Sequence, residues 1–193
     1  MIKSNIAREY PSHIAKANYS DQTLYLADYT KQTNNALGVE VFESTPPSDI
    51  DTFELKNSVN LPNGYISFDN HSFTRPDGSP LSQCECVVFP DMSDIDSWIF
   101  FVELKYSNRP YNNNNNITKA IKQLYKTRTY YLNKCVFAKT NPCYLLASLP
   151  MQAEPFAQTV ISPMDLQKLK KKHNVILRLQ NHAEIQNDKK INV

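Results

Sequence analysis

The alternation of hydrophobic and polar residues is clearest in the middle of the chain. Two strongly apolar, β-type runs cover residues 84–89 and 98–106, and the polar segment PDMSDIDS joins them. Runs of this length and composition, separated by turn-forming residues, are typical of paired strands. The sequence therefore predicts a β-hairpin at residues 84–106.

A long helix is predicted after this hairpin. The polar segment RPYNNNNN comes first, and its last asparagine can cap a helix that begins at Ile117. Apolar residues recur with the helical period on one face: Ile117, Ala120, Ile121, Leu124 and Tyr131. Lysines fall on another face: Lys119, Lys122 and Lys126. We expect one face of this helix to pack on the sheet and the other to be basic.

The remaining elements follow from weaker patterns. Helices are predicted at residues 7–17, broken near Pro11, at 21–32 and at 163–172. Strands are predicted at residues 39–42, 52–55, 65–68, 135–138, 143–149 and 175–179, and residues 186–193 are expected to form a frayed tail. The chain has no internal repeat and no linker. These features predict a single mixed α/β domain over residues 1–193.

Composition narrows the class of protein. The chain has 41% hydrophobic and 21% charged residues, which fits a globular fold. Its first twenty residues hold no apolar run of signal-peptide type, and no segment reaches the length needed to cross a bilayer. The four cysteines lack the paired spacing of a zinc site, so they are expected to be buried, reduced thiols. We therefore expect a cytoplasmic protein without membrane contact.

The charges are unevenly distributed, although the formal net charge is only +2. Residues 106–153 contain no Asp or Glu and carry several Lys and Arg, whereas residues 85–103 are rich in acids. An acidic cluster beside a basic surface is what a metal site facing a phosphate backbone requires. This pattern favours a nucleic-acid partner.

The hairpin also brings ionisable residues together. If its loop is centred near residues 93 and 94, residues whose numbers sum to about 187 or 188 lie opposite each other, so Glu85 faces Val102 or Glu103. Glu103 and Lys105 point to the same face, because side chains alternate along a strand. Two opposed carboxylates repel each other, and a divalent cation would relieve that repulsion. Oxygen ligands of this kind suit Mg²⁺, for which Mn²⁺ is a possible substitute.

The segment ECVVF, the loop and then WIFFVELKY resemble the acid, hairpin and E-x-K signature of the PD-(D/E)XK nuclease superfamily. The resemblance covers residues 81–149. It implies a restriction-endonuclease-like αβββαβ core, with a central mixed sheet flanked by helices, and metal-dependent hydrolysis of phosphodiester bonds. It assigns catalysis to Glu85, Glu103 and Lys105, with Glu85 and Glu103 as metal ligands. It also implies that the following helix lines the nucleic acid, with Lys119, Lys122, Gln123 and Lys126 as contacts.

Several points stay open at this level. Asp91 is an alternative to Glu85, and an upstream acid such as Glu40, Glu43 or Glu54 could join the site. A second E-x-K tripeptide occupies residues 54–56, but only the copy at 103–105 lies in a strongly apolar strand that follows an acid-bearing one. The flanking elements, and not the tripeptide itself, favour residues 103–105.

The resemblance implies a metal-dependent endonuclease acting on DNA, of the kind found in restriction and defence systems. By the same analogy, a homodimer or a separate partner protein is expected to complete it. One alternative is an inactive member of the same fold that binds nucleic acid or a partner protein. Another is a solvated cross-strand pair of Glu and Lys with no function beyond a few tenths of a kcal/mol of stability. The choice of DNA over RNA, the sequence specificity and the mode of cutting are not determined by the sequence.

Overall fold

The computed structural model describes residues 1–34 and 38–193, and in these residues the strands form two sheets. The strands are β1 (Asn18–Ser20), β2 (Leu24–Asp28), β3 (Val39–Glu43), β4 (Phe53–Lys56), β5 (Asn63–Ser67), β6 (Cys86–Pro90), β7 (Ile99–Leu104), β8 (Cys143–Ser148), β9 (Val175–Leu179), β10 (His182–Asn187) and β11 (Lys190–Asn192). The α-helices are α1 (Ile2–Glu9), α2 (Pro11–Ile14), α3 (Asn113–Asn133) and α4 (Pro163–His173).

The larger sheet is mixed and has the strand order β1-β5-β6-β7-β8-β9. The strands from β1 to β7 in this order are antiparallel neighbours, whereas β8 pairs in parallel with both β7 and β9. Parallel neighbours need a crossover connection, and α3 and α4 lie in the two connections. The chain therefore has the mixed α/β class that its sequence predicts.

Both faces of the hairpin β6–β7 are buried, which explains its continuous apolar runs. Val87 and Phe101 belong to a core that also holds Leu124 of α3. The alternate residues Val88 and Phe100 belong to a second core, which the smaller sheet covers. Odd-numbered residues of β6 and β7 therefore face α3, and even-numbered residues face the smaller sheet.

The smaller sheet has the strand order β11-β10-β4-β2-β3. Two of the sequence-based predictions are wrong in this sheet. Residues 21–32 are not a helix, because β2 pairs with β3 and β4 and buries Leu24 and Leu26 against the larger sheet. Residues 186–193 are not a frayed tail either. β10 and β11 form an antiparallel pair there, and Ile191 is buried in the second core.

Smaller corrections concern the ends of elements. The N-terminal helix begins at Ile2 and ends at Glu9, and Pro11 starts α2. Helix α3 begins at Asn113 after a 3₁₀ turn, so Asn116 lies inside the helix instead of capping it, and Asn112 occupies the N-cap position. Residues 135–138 are buried in part but form no strand, since Cys135 has a φ of 53° that turns the chain.

Two further predictions can be compared with the described residues. All four cysteines are free thiols there; Cys135 is exposed and the other three are buried. Within the same ranges, no helix combines the length and the apolar character needed to cross a bilayer.

Candidate active site

The site lies at the open end of the hairpin β6–β7. Cys86 is paired with Val102, and the backbone N–H of Glu85 donates to the carbonyl of Val102 at 3.1 Å. The next residues outward are Glu85 and Glu103, and their carboxyl groups lie within hydrogen-bonding reach of each other. The structure thus brings together the two acids that the hairpin register predicts.

Lys105 completes the group. Its ammonium donates a hydrogen bond to Oε1 of Glu103, and its backbone N–H donates to the carbonyl of Ser148 at 2.9 Å, which extends the pairing of β7 with β8. The side chain of Lys105 is 22% exposed, whereas that of Glu103 is fully buried. Burial of Glu103 excludes the solvated surface pair that was one alternative from the sequence.

Helix α3 is held over this end of the sheet by polar contacts. Oγ1 of Thr127 accepts a hydrogen bond from the backbone N–H of Cys84 at 2.7 Å, directly before Glu85. The amide of Gln123 donates to the carbonyl of Gln83 at 2.8 Å. Because the odd-numbered residues of β7 face α3, Glu103 lies on the helix side of the sheet.

Burial is the largest cause of a raised pKa in both carboxyl groups. Burial, and next the negative charge of Asp28, raise the pKa of Glu85 to about 7, against the opposing effect of Lys105. Burial and the nearby Glu85 raise the pKa of Glu103 well above its ordinary value. The buried Oε2 of Glu103 has no hydrogen-bond partner among the described residues. The pair therefore retains a proton near neutral pH.

Asp28 is the acid that the sequence analysis missed. It ends β2 in the smaller sheet, its carboxylate accepts a hydrogen bond from the N–H of Thr30 at 2.9 Å, and its own N–H donates to the hydroxyl of Tyr106 at 3.3 Å. Tyr106 directly follows Lys105, so this contact attaches the end of β2 to the end of β7. The sequence analysis predicts a helix over residues 21–32, and for that reason it does not place Asp28 at the end of a strand.

The other candidate acids lie elsewhere. Asp91 forms an ion pair with Lys3 at 2.6 Å. Glu43 accepts hydrogen bonds from Ser20 and Tyr65. Glu40 is exposed on β3. Glu54 and Lys56, the second E-x-K, belong to β4, where Lys56 pairs with Glu184.

A cleft of about 830 Å³ opens beside the carboxylates. Asp28 lines it from the smaller sheet, Glu85 from the hairpin and Gln123 from α3, and residues 67–70 and 80–84 form further parts of its wall. The cleft therefore gives a ligand access to Glu85, behind which Glu103 is buried.

The predicted nucleic-acid contacts divide into two groups. Gln123 lines the cleft, whereas the three lysines are exposed on α3: Lys119, Lys122 and Lys126. Lys122 and Lys126 border a separate apolar groove of about 450 Å³, in which Tyr125 also lies. In the described residues, none of these lysines forms an ion pair. Their charge is therefore available to an anionic partner.

The donor set fits a divalent cation bound through two carboxylates. In residues 1–34 and 38–193, no group of three His, Cys, Asp or Glu side chains is arranged to hold a metal ion. Glu85 and Glu103 could supply two oxygen ligands, one of them the unpartnered Oε2 of Glu103, and Mg²⁺ commonly completes its shell with water and substrate oxygens. Comparison of the chain with models of known protein families, with curated proteins and with solved structures found no match.

Proposed function

We propose that this protein is a metal-dependent nuclease that hydrolyses phosphodiester bonds, with DNA as its expected substrate. The observation that carries the proposal is the pair of the half-buried Glu85, which opens onto a cleft, and the fully buried Glu103, which contacts Lys105. Burial raises the pKa of both carboxyl groups, and the charge of Glu85 adds to this effect at Glu103, so a cation between them would stabilise their charged forms.

Each residue then has a distinct task. Glu85 and Glu103 would hold Mg²⁺, or Mn²⁺ in its place. The bound ion supplies a water of lowered pKa and neutralises charge that develops on the scissile phosphate. Lys105, held against Glu103, is positioned to orient the attacking water and to donate to a phosphate oxygen. Gln123 lies in the same cleft and can hydrogen-bond the substrate strand.

The order of elements supports the same proposal. Helices α1 and α2 precede the antiparallel strands β5, β6 and β7 of the larger sheet; α3 and then the parallel strand β8 follow. If β1 is set aside, this order is compatible with the αβββαβ core that the resemblance to the PD-(D/E)XK nucleases implies. The smaller sheet is an addition to that order. The exposed lysines of α3, which is the helix that carries Gln123 of the cleft, support binding of a phosphate backbone along that helix.

The test is cleavage of plasmid DNA, single-stranded DNA and RNA by the wild type and by Lys105→Ala, each with Mg²⁺, Mn²⁺ or EDTA. We expect metal-dependent cutting that the substitution lowers by about 100-fold or more, as for the loss of a group that stabilises the transition state. Lys56→Ala is the matched control, because Lys56 ends the second E-x-K and lies in the other sheet.

Circular dichroism of each variant checks that it folds. Equal cutting by the wild type and Lys105→Ala would contradict the assignment of the site. Absence of cutting by the wild type, with no Mg²⁺ binding in a calorimetric titration, would favour the alternative of a non-catalytic module that binds nucleic acid or a protein.

A further inference from the structure

Arg75 lies on the wall of the same cleft, in a tight loop between β5 and β6. The backbone N–H of Gly78 donates to the carbonyl of Arg75 at 2.9 Å, and the N–H of Arg75 donates to the carbonyl of Ser79 at 2.8 Å. Gly78 has a φ of +80°, which a residue with a side chain rarely adopts. The loop therefore fixes the backbone from which the Arg75 side chain extends.

The guanidinium of Arg75 is oriented by only one of its nitrogens. Nη1 donates to Oγ of Ser79 at 3.0 Å and to the carbonyl of Pro80 at 3.2 Å. Nε and Nη2 have no hydrogen-bond partner in the described ranges. These two nitrogens form one edge of the planar fork that binds carboxylates and phosphates bidentately.

The acid nearest in sequence does not neutralise this arginine. Asp77 accepts hydrogen bonds from the N–H and the hydroxyl of Ser79, at 2.9 and 2.7 Å. Arg75 forms no ion pair in residues 1–34 and 38–193, although Asp77 is only two residues away. Ser79 thus holds the acid and the arginine in separate positions, and the positive charge stays available.

The charged side chains around the cleft are mostly acidic, and Arg75 is the exception. The acidic and basic side chains of the described wall are Asp28, Asp69, Glu85 and Arg75, so Arg75 is its one cation. Asp69 is paired with Lys16 at 2.6 Å. An anionic strand that reaches Glu85 therefore meets carboxylates and needs a positive partner in the same cleft.

We propose that Arg75 binds a backbone phosphate of the substrate next to the phosphate that is cut, through its free Nε and Nη2. The proposal rests on the proposed nuclease function, which it deepens by defining how the strand lies in the cleft. A volume of about 830 Å³ is in the range of pockets for small ligands, so the cleft accommodates a short stretch of one strand. The bound nucleic-acid strand would then extend along the cleft from Arg75 to Glu85.

Binding of a fluorescein-labelled oligothymidylate, followed by fluorescence anisotropy in EDTA, tests the site without cleavage. Arg75→Gln is expected to weaken binding by about tenfold or more, as for the loss of a charge-assisted, bidentate contact. It should also reduce the slope of log affinity against log salt by about 0.7, the value for one phosphate contact on a single strand. Arg75→Lys keeps the positive charge without the planar fork, so its affinity should lie between those of the wild type and Arg75→Gln.

Arg8→Gln is the matched control, because Arg8 is an exposed arginine that pairs with Glu9 in α1. It should bind like the wild type. A series of oligothymidylates with one neutral methylphosphonate each then locates the contact. The wild type should lose affinity at one position of the series, and Arg75→Gln should show no further loss at that position.

The outcomes separate this proposal from the nuclease function. If the wild type cuts nucleic acid and Arg75→Gln binds and cuts equally well, the phosphate site is refuted and the nuclease remains. If binding depends on Arg75 but no cutting occurs with Mg²⁺ or Mn²⁺, the phosphate site stands and hydrolysis is refuted. If the wild type neither binds nor cuts, both proposals fail.

Discussion

Replacing Glu85 by Gln should stabilise the metal-free protein at alkaline pH. The pKa of Glu85 is about 7 in the folded chain, compared with 4.5 for the unperturbed group, because the site is buried and Asp28 is near. Below pH 4.5 the carboxyl is protonated in both states and contributes nothing. As the pH rises from there to about 7, the unfolded chain loses this proton while the folded chain keeps it, so folding becomes less favourable.

The size of the effect follows from the same two values. A difference between 4.5 and about 7, at about 1.4 kcal/mol for each pH unit, corresponds to a penalty of about 3 kcal/mol above pH 7. The amide of Gln carries no charge at any of these pH values, so Glu85→Gln removes the penalty. The gain is an upper bound, since the new amide also needs hydrogen-bond partners.

Urea unfolding of the wild type and Glu85→Gln in EDTA, at about pH 4 and about pH 8, measures the difference in free energy. We expect nearly equal stability at the lower pH and a variant more stable by up to about 3 kcal/mol at the higher pH. Glu184→Gln is the control, because Glu184 pairs with Lys56, which lowers its pKa, and its replacement should not stabilise the chain. A variant that is no more stable than the wild type at the higher pH would refute the reasoning.

Three further predictions follow from the structure. Binding of Mg²⁺, measured by calorimetry, should strengthen as the pH rises through about 7, because Glu85 must lose its proton first, and a flat profile would argue against Glu85 as a ligand. Asp28→Asn should lower the pKa of Glu85 in a ¹³C NMR titration, and an unchanged pKa would place Asp28 outside the site. Gly64→Ala should cost about 1–3 kcal/mol in urea unfolding, since its Cβ would lie 2.6 Å from the Phe89 ring, whereas Gly38→Ala has open space and should cost less.

The hairpin and the long helix were predictable because their signals are local. Residues 98–106 are largely apolar, which favours burial on both faces of the strand. A loop centred near residues 93 and 94 leaves two possible pairings of the strands, and the observed pairing of Cys86 with Val102 is one of them. The spacing of Glu103 and Lys105 then determines that both point to one face. These parts of the candidate site need no knowledge of distant segments.

The strands of the smaller sheet could not be predicted from local sequence signals. β2 is short, and it is a strand because β3 and β4 pair with it; β10 pairs in parallel with β4, far away in the chain. Such pairings leave only weak patterns in residues 24–28 and 182–187. Asp28 was missed for this reason, since its place beside Glu85 depends on how the smaller sheet packs on the larger one.

Burial also argues against the interpretation of the Glu and Lys residues as a solvated surface pair. An exposed cross-strand pair would contribute a few tenths of a kcal/mol at little cost. Glu103 is instead fully buried, with one oxygen unpartnered and Glu85 beside it, and apolar side chains of similar volume at these positions would serve stability at least as well. Two neighbouring carboxyl groups of raised pKa cost stability where they are charged, and under the proposed function a bound cation would offset that cost.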